Sequence, residues 1–527
     1  EEEEEEEEES FSNTDVQVSA MLIGAVMLVV ALFYLTNWDD DDIRYYSMNI
    51  VSMTMSIFSA VLMFQGINQC LESWIEDLNE WVKILIQYAH CAIYIIAMQL
   101  SIGAISGLIW APPDLDLQKE SWTVADGLRS DFGKELEPFE VEQVRAEQRK
   151  DKSTKSVWVD KFGFEVAVVK QRVQFLTRVR RMRCWAMLLA HMSGFAAICA
   201  GANLQNTSVF KQSPLLAFIP AVLTQGFLLL VFACSHTFRD RLMKVIVEKD
   251  KKNLHRAILC HENVVEAEND VSSLTMSFLA IQAVRFGVGG VLPNAEGLEE
   301  PEEPHTWMSL GIILAVALIF AGIAVAMSMT IQMKEGEGEE EELPNEPLSL
   351  RVMQILTNGA AMVFAWCLLF GTRWLFVKLP YIDMETMMGR ICLALVLSIF
   401  SGIVVFGLDV IDDYFREKGD KAQAAGFAIR TIIQALAILV GFSWEHCFDG
   451  GVAAVAFLSP HRKLTKFLLG VAVCFYLVPA WRRHILTKVL ALEDMKKARS
   501  HMSKSATTAP AETGKLLESS RSVESKP

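Results

Sequence analysis

The sequence predicts an all-α fold: a polytopic transmembrane helical bundle of about 11 spans, built from three parallel four-helix repeats, the first incomplete. Three observations carry that prediction. Of the 527 residues, 52% are hydrophobic, and they gather in blocks of about 20 with few charges, the length that crosses roughly 30 Å of hydrocarbon. A soluble chain would instead spread them with helix or strand periodicity. The stretch Ser52-Met53-Thr54-Met55-Ser56 returns as Ser273-Leu274-Thr275-Met276-Ser277, and the same offset pairs Gly66 with Gly287. Finally, Lys and Arg crowd onto alternate connections between the apolar blocks, the asymmetry expected of a multi-pass protein.

Taken in order, the spans are 16–36, 47–69, 84–110, 184–203, 215–235, 271–292, 307–333, 352–377, 390–411, 427–447 and 465–481. Arg285 interrupts the sixth, and the last is short, with Pro479 near its end. Each helix carrying the repeated stretch follows one apolar helix and precedes another. The second unit also has an earlier helix, 184–203, and 352–377 is its counterpart in the third unit. The third copy of the key helix aligns Thr431 with Thr275. An even number of helices per unit makes the repeats parallel, because inverted repeats need an odd number. The first unit lacks its leading helix, and a truncated start at Glu1 accounts for that loss.

The expected organisation is therefore an acidic, disordered stretch 1–15, a three-helix unit 16–110, a connector 111–183, and a four-helix unit 184–333. An acidic linker 334–351, a four-helix unit 352–490 and a disordered tail 491–527 follow. The net charge of −16 is localised: Glu1 to Glu9 form one acidic run and Glu335 to Glu342 hold another, as solvated segments do. The segment 236–268, rich in Lys and Arg and free of breakers, reads as a cytoplasmic helix extending the fifth span.

Sorting the connections alternately onto two sides places most of the 48 Lys and Arg on the side that holds 111–183, 236–270 and the C-terminal tail. That side is expected to be cytoplasmic, or stromal or matrix in an organelle. Arg178, Arg180, Arg181 and Arg183 before the fourth span are the strongest local signal. The sequon Asn206-Thr207-Ser208 falls on the opposite side.

Charge inside a span costs a few kcal/mol, which makes each such group a functional candidate. Arg285 lies deep in its helix, while Arg430 sits where it reaches lipid phosphates. Glu445 and His446 end the third copy of the key helix, and the alignment places Glu445 one turn beyond the level of Arg285. An unpaired guanidinium is expensive in this setting, so Arg285 and Glu445 are expected to pair. Gln65, Gln282 and Gln434 all lie on copies of the repeated helix and would line a polar path. Gly103 and Gly107 have the spacing of a helix-packing motif.

Other chemistry is absent from the pattern. The ten cysteines form no CxxC pair and no disulfide framework, and Cys91, Cys199, Cys367, Cys392 and Cys474 read as small buried hydrophobes. His255, Cys260 and His261 lack metal-ligand spacing. No phosphate-binding loop, nucleophile elbow or zincin motif occurs. The sequence thus points away from an enzyme, a cofactor, a metal site and nucleic-acid binding. It points to a lipid-embedded transporter or channel for a small solute or ion. The other reading is a non-transporting scaffold that partners the subunits of a membrane complex.

Overall fold

The computed structural model describes residues 13–109, 166–249, 254–299, 305–335, 348–380, 382–384, 386–416, 421–493 and 495. The acidic run at the start, most of the 111–183 connector, most of the 334–351 linker and most of the tail lie outside them. Eleven helices are long and apolar enough to cross a membrane. They are α1 (Asn13–Thr36), α2 (Asp41–Ile75), α3 (Glu80–Ser106), α4 (Val166–Gln205), α5 (Pro214–Lys249), α6 (Leu254–Gly289), α7 (Trp307–Glu335), α8 (Leu348–Val377), α9 (Met387–Arg416), α10 (Lys421–Phe457) and α11 (Arg462–Ala480). No strand occurs among the described residues. This architecture is compatible with a multi-pass membrane protein.

The helices form two shells. The apolar window of α4 is 83% buried and that of α10 78%, against 17% for α1 and 22% for α7. Helices α2, α4, α6, α8 and α10 make an inner ring. Within it α4 packs between α2 and α6, α8 packs between α6 and α10, and α10 meets α2 directly. The remaining six lie outside: α3 on α4, α5 on α6, α7 on α8 and α10, α9 on α10, α11 on α2, and α1 on α9 and α2. Their outward side chains, such as Leu85, Leu215, Leu318 and Phe475, are exposed, a belt of apolar surface suited to lipid. The inner helices all end at one face of the bundle, called upper here, and begin at the lower face.

Close backbone approach closes the ring. A Cβ on Gly441 of α10 would lie 2.8 Å from Ile57 Cδ1 and 3.4 Å from Thr54 Cα on α2. A side chain there would push the end of Ile57 aside, and glycine lets the two helices touch without that shift. By contrast, the Gly103 and Gly107 pair does not join helices. Gly107 has φ +82° and donates its N–H to Ala104 O at 3.2 Å, so it caps the C-terminus of α3. The packing motif expected from its spacing is a helix stop instead.

The helices run beyond their most apolar cores. The main departure from expectation is at 236–268. Residues to Lys249 continue α5, but the chain from Leu254 belongs to α6, which packs back against α5. Ala257, Cys260, Val264, Ala267 and Val271 are buried there, an apolar stripe at helical spacing. A window that looks for unbroken apolar blocks misses such a stripe. The last span is also longer than expected. After Pro479 the chain makes a π-helical turn, Trp481–Ile485, and continues helical to residue 493. Proline removes one i to i−4 bond, and a wide turn is the local remedy. That turn buries Trp481 fully, and its indole N–H donates to Ser52 Oγ at 2.9 Å.

Candidate functional site

A cavity of about 470 Å³ opens among the upper halves of α2, α4, α6, α8 and α10 and the start of α9. Its floor is aromatic, and each inner helix supplies one ring. Phe64 lies 6.3 Å from Phe195, Phe195 lies 5.6 Å from Phe442, Phe442 lies 4.5 Å from Trp366, and Trp366 lies 5.1 Å from Phe278. Trp366 is held in place by donating its indole N–H to Ser277 Oγ at 3.1 Å.

The walls of this cavity are polar. Gln65, Glu445 and His446 all line it, as does Arg390 from α9. Glu445 is 8% exposed and makes no hydrogen bond or ion pair among the described residues. Arg390 Nε, His446 Nε2 and Gln65 Oε1 are buried with no hydrogen-bond partner. Other charged groups on the same wall have bonds: Asp449 pairs with Lys466 at 2.8 Å, and Glu72 accepts a hydrogen bond from Asn68 at 2.8 Å.

Arg285 and Gln282 do different work. Arg285 is 1% exposed and donates to Glu299 Oε1 at 2.7 Å and to Gly297 O at 2.8 Å, with its guanidinium 3.7 Å from the centre of the Phe370 ring. The other oxygen of Glu299 accepts from Trp374 Nε1 at 3.2 Å and lies 2.6 Å from His305 Nε2. Gln282 donates to Asn294 O at 2.9 Å. Both residues therefore pin the 290–299 loop over the top of α6. The expected Arg285–Glu445 contact is not made: the partner of Arg285 is Glu299. The expectation weighed charges on helices only, and the loop after α6 brings its own carboxylate back.

At the lower face a second cavity of about 500 Å³ is lined by Tyr46, His261, Asn269, Asp270, Gln434 and their neighbours. An adjoining space of about 200 Å³ shares Tyr45, Glu266, Asp270 and Gln434 and reaches Arg183 and Glu493. A narrow recess rises from Asp270 and Gln434 to Met53, His191, Leu274, Met362 and Ile438. His191 Nδ1 lies 2.9 Å from Ser56 Oγ. On four helices the roof of this recess sits one helical turn below the floor of the upper cavity: His191 below Phe195, Leu274 below Phe278, Met362 below Trp366, and Ile438 below Phe442. One such turn is about 6 Å.

Of the sequence candidates, Gln65, Glu445 and His446 thus share the upper cavity, Gln434 lines the lower one, and Arg285 and Gln282 hold a loop. Arg390 and Asp270 were missed. Each falls at the edge of an apolar block, where charge reads as the end of a span, yet each lies within the packed bundle. The network around Glu268 was missed for the same reason. Glu268 is fully buried and accepts from Gln99 of α3 at 2.8 Å, Arg239 of α5 at 3.1 Å and Arg351 of α8 at 2.5 Å. It ties four helices near the lower face. Also at that face, carboxylate oxygens of Asp40, Asp409 and Asp413 lie within 4.8 Å of one another, and Asp40 already caps α2 by accepting from Asp42 N and Ile43 N. No family model, no curated protein and no solved structure matches this chain.

Proposed function

We propose that this protein moves a small solute across a bilayer along the axis of its inner ring. One observation carries the reading: a polar cavity opens from each face, and a narrow, mostly apolar recess extends the lower one to within one helical turn of the upper, on the same four helices. A scaffold has no use for such a gap and gains stability by filling it, since voids and unmatched polar groups cost free energy. The aromatic floor is the barrier. Moving one turn of it would join the cavities, and small shifts of packed helices are a known repertoire of such proteins. The basic lower ends of α4 and α5, with Arg178, Arg180, Arg183, Arg239 and Arg241, support a cytoplasmic lower face.

The same proposal includes three parallel units, of which this sequence carries three helices of the first and four of each of the others. The packing supports it. Helix α3 lies on α4 as α7 lies on α8, and α5 lies on α6 as α9 lies on α10. Helix α3 also reaches α6, α7 reaches α10, and α11 reaches α2, which carries the pattern round the ring. Equivalent groups bond alike: Thr54 and Thr275 each donate to the carbonyl four residues back, while Ser56 meets His191 as Ser277 meets Trp366. By this pattern a leading helix of the first unit would lie between α10 and α2, and in the described residues these two helices meet directly.

The test is a barrier test. Wild-type protein in vesicles should hold an osmotic gradient of small polar osmolytes such as glycerol and urea, followed by light scattering in a stopped-flow instrument. The double variant Trp366→Ala, Phe442→Ala should leak at least tenfold faster than protein-free vesicles. A folded double variant whose vesicles stay as tight as protein-free ones would refute the path and favour the scaffold.

A further inference from the structure

We propose that the upper cavity binds a small organic zwitterion of the amino-acid type, with its ammonium on Glu445 and Gln65 and its carboxylate on Arg390. This deepens the transport reading by naming the substrate class, and it rests on that reading only for the direction of travel. The argument starts from polar groups that the fold leaves unmatched. Buried polar atoms without partners are rare in native proteins, and each needs an explanation. Here Arg390 Nε, His446 Nε2 and Gln65 Oε1 are buried without partners and line one cavity with Glu445, which is 8% exposed and bonds to none of the described side chains. They come from α2, α9 and α10, so no single helix end accounts for them.

The chemistry of the unmatched groups selects the ligand. A carboxylate and an amide oxygen accept hydrogen bonds only, so they call for a donor. A guanidinium donates only and calls for an acceptor, best a carboxylate. Of the neighbouring charges, Asp449 pairs with Lys466, Glu72 accepts from Asn68, and Glu296 and Arg373 each have interactions of their own. Glu445 and Arg390 are the anion and the cation of this lining left without a side-chain bond among the described residues, the complement of a zwitterion. A simple amine would leave Arg390 unmatched, and a simple acid would leave Glu445 so.

The placement fits as well. Arg390 reaches across to α10, where its Nη1 lies 2.7 Å from the position a Cβ would take on Gly450. Along α10, Glu445 is a little over one turn below Gly450, about 7 to 8 Å. That interval leaves room for a ligand group with a hydrogen bond of about 2.8 Å on each side. It also accounts for Arg390 and Glu445 not closing on each other. The floor of Phe64, Phe195, Phe442, Trp366 and Phe278 offers an apolar surface to the rest of the molecule. The volume of about 470 Å³ lies within the range of small-molecule sites.

The experiment uses the full chain in detergent and needs no variant for its first arm. Thermal unfolding is followed with the twenty common L-amino acids, and with 2-phenylethylamine and 3-phenylpropanoate as the singly charged counterparts of L-phenylalanine. At least one amino acid should raise Tm saturably, and the two counterparts should bind at least tenfold more weakly than L-phenylalanine or not at all. Glu445→Gln and Arg390→Gln should each weaken amino-acid binding tenfold or more, with Arg390→Lys restoring part of it. Absence of a shift with every amino acid would overturn the proposal and leave a hydrated cavity. So would equal binding of 2-phenylethylamine, or unaltered binding in both variants. The outcome is separable from the barrier test: a leaky Trp366→Ala, Phe442→Ala variant with no amino-acid binding keeps the path and removes only its substrate class.

Discussion

Glu299→Gln is the substitution that most sharply separates loop anchoring from axial pairing. The carboxylate receives Arg285 on one oxygen and Trp374 and His305 on the other, and its side chain is 5% exposed. Glutamine keeps the shape but offers one oxygen in place of two, and its amide nitrogen turns a donor toward donors. The guanidinium of Arg285, 1% exposed, then loses the counter-charge of Glu299. Removing one partner of a buried pair costs about 3–5 kcal/mol, and that range includes the unmatched hydrogen bond. The assay is SDS-driven unfolding in mixed micelles, read by tryptophan fluorescence, with Glu445→Gln as the comparison. Glu445 has no partner to lose, and neutralising a buried carboxylate relieves desolvation, so its stability change should stay below about 1 kcal/mol. Replacing both Arg285 and Glu299 by leucine should recover most of the loss. Equal destabilisation by the two single glutamine variants would refute this reasoning. So would rescue of Arg285→Gln by Glu445→Gln in place of Glu299→Gln.

Other outcomes are expected. Glu268→Gln should lower stability by about 3–5 kcal/mol in the same micelle assay, because it strands Arg239 and Arg351, two cations from different helices. Trp481→Phe should cost about 1 kcal/mol through its lost bond to Ser52, with monodispersity unchanged on size-exclusion chromatography. In sealed cells, Ser121→Cys and Ser503→Cys should react with an impermeant maleimide from one side and Ser208→Cys from the other. Labelling of Ser121→Cys and Ser208→Cys from the same side would contradict the run of the helices.

Much of the fold was legible because hydrocarbon imposes one rule: backbone polar groups must be satisfied within the segment. Eleven apolar blocks became eleven helices, and Gln65 of α2 met Glu445 and His446 of α10 in one cavity. What escaped was set by packing, not by hydropathy. Asp270 and Arg390 sit where apolar blocks fade, yet the helices continue past them. The first half of α6 carries its apolar residues on one stripe, so its mean composition resembles a soluble helix while Val264 and Val271 are fully buried. The partner of Arg285 was hidden because Glu299 sits in a loop, where a carboxylate normally needs no explanation. No pattern in the sequence distinguishes a loop that folds back from one that faces water.

Under the three-unit proposal, the way the copies differ bears on the site. The alignment that pairs Ser52 with Ser273 and Thr275 with Thr431 puts Phe64, Arg285 and Gly441 at one position. In α2 that position supplies part of the aromatic floor. In α6 it anchors the loop through Glu299. In α10 it removes the side chain altogether, so that α10 touches α2 at Thr54 and Ile57. A symmetric ring would hold three like residues there, and a guanidinium repeated three times around one axis would repel itself. The divergence removes that repulsion, and the cation of the upper cavity, Arg390, comes from the outer helix α9. The same break in symmetry puts Gln65, Glu445 and His446 on α2 and α10, the two inner helices that meet directly, so that the polar groups gather on one side of the cavity and face Arg390 across it.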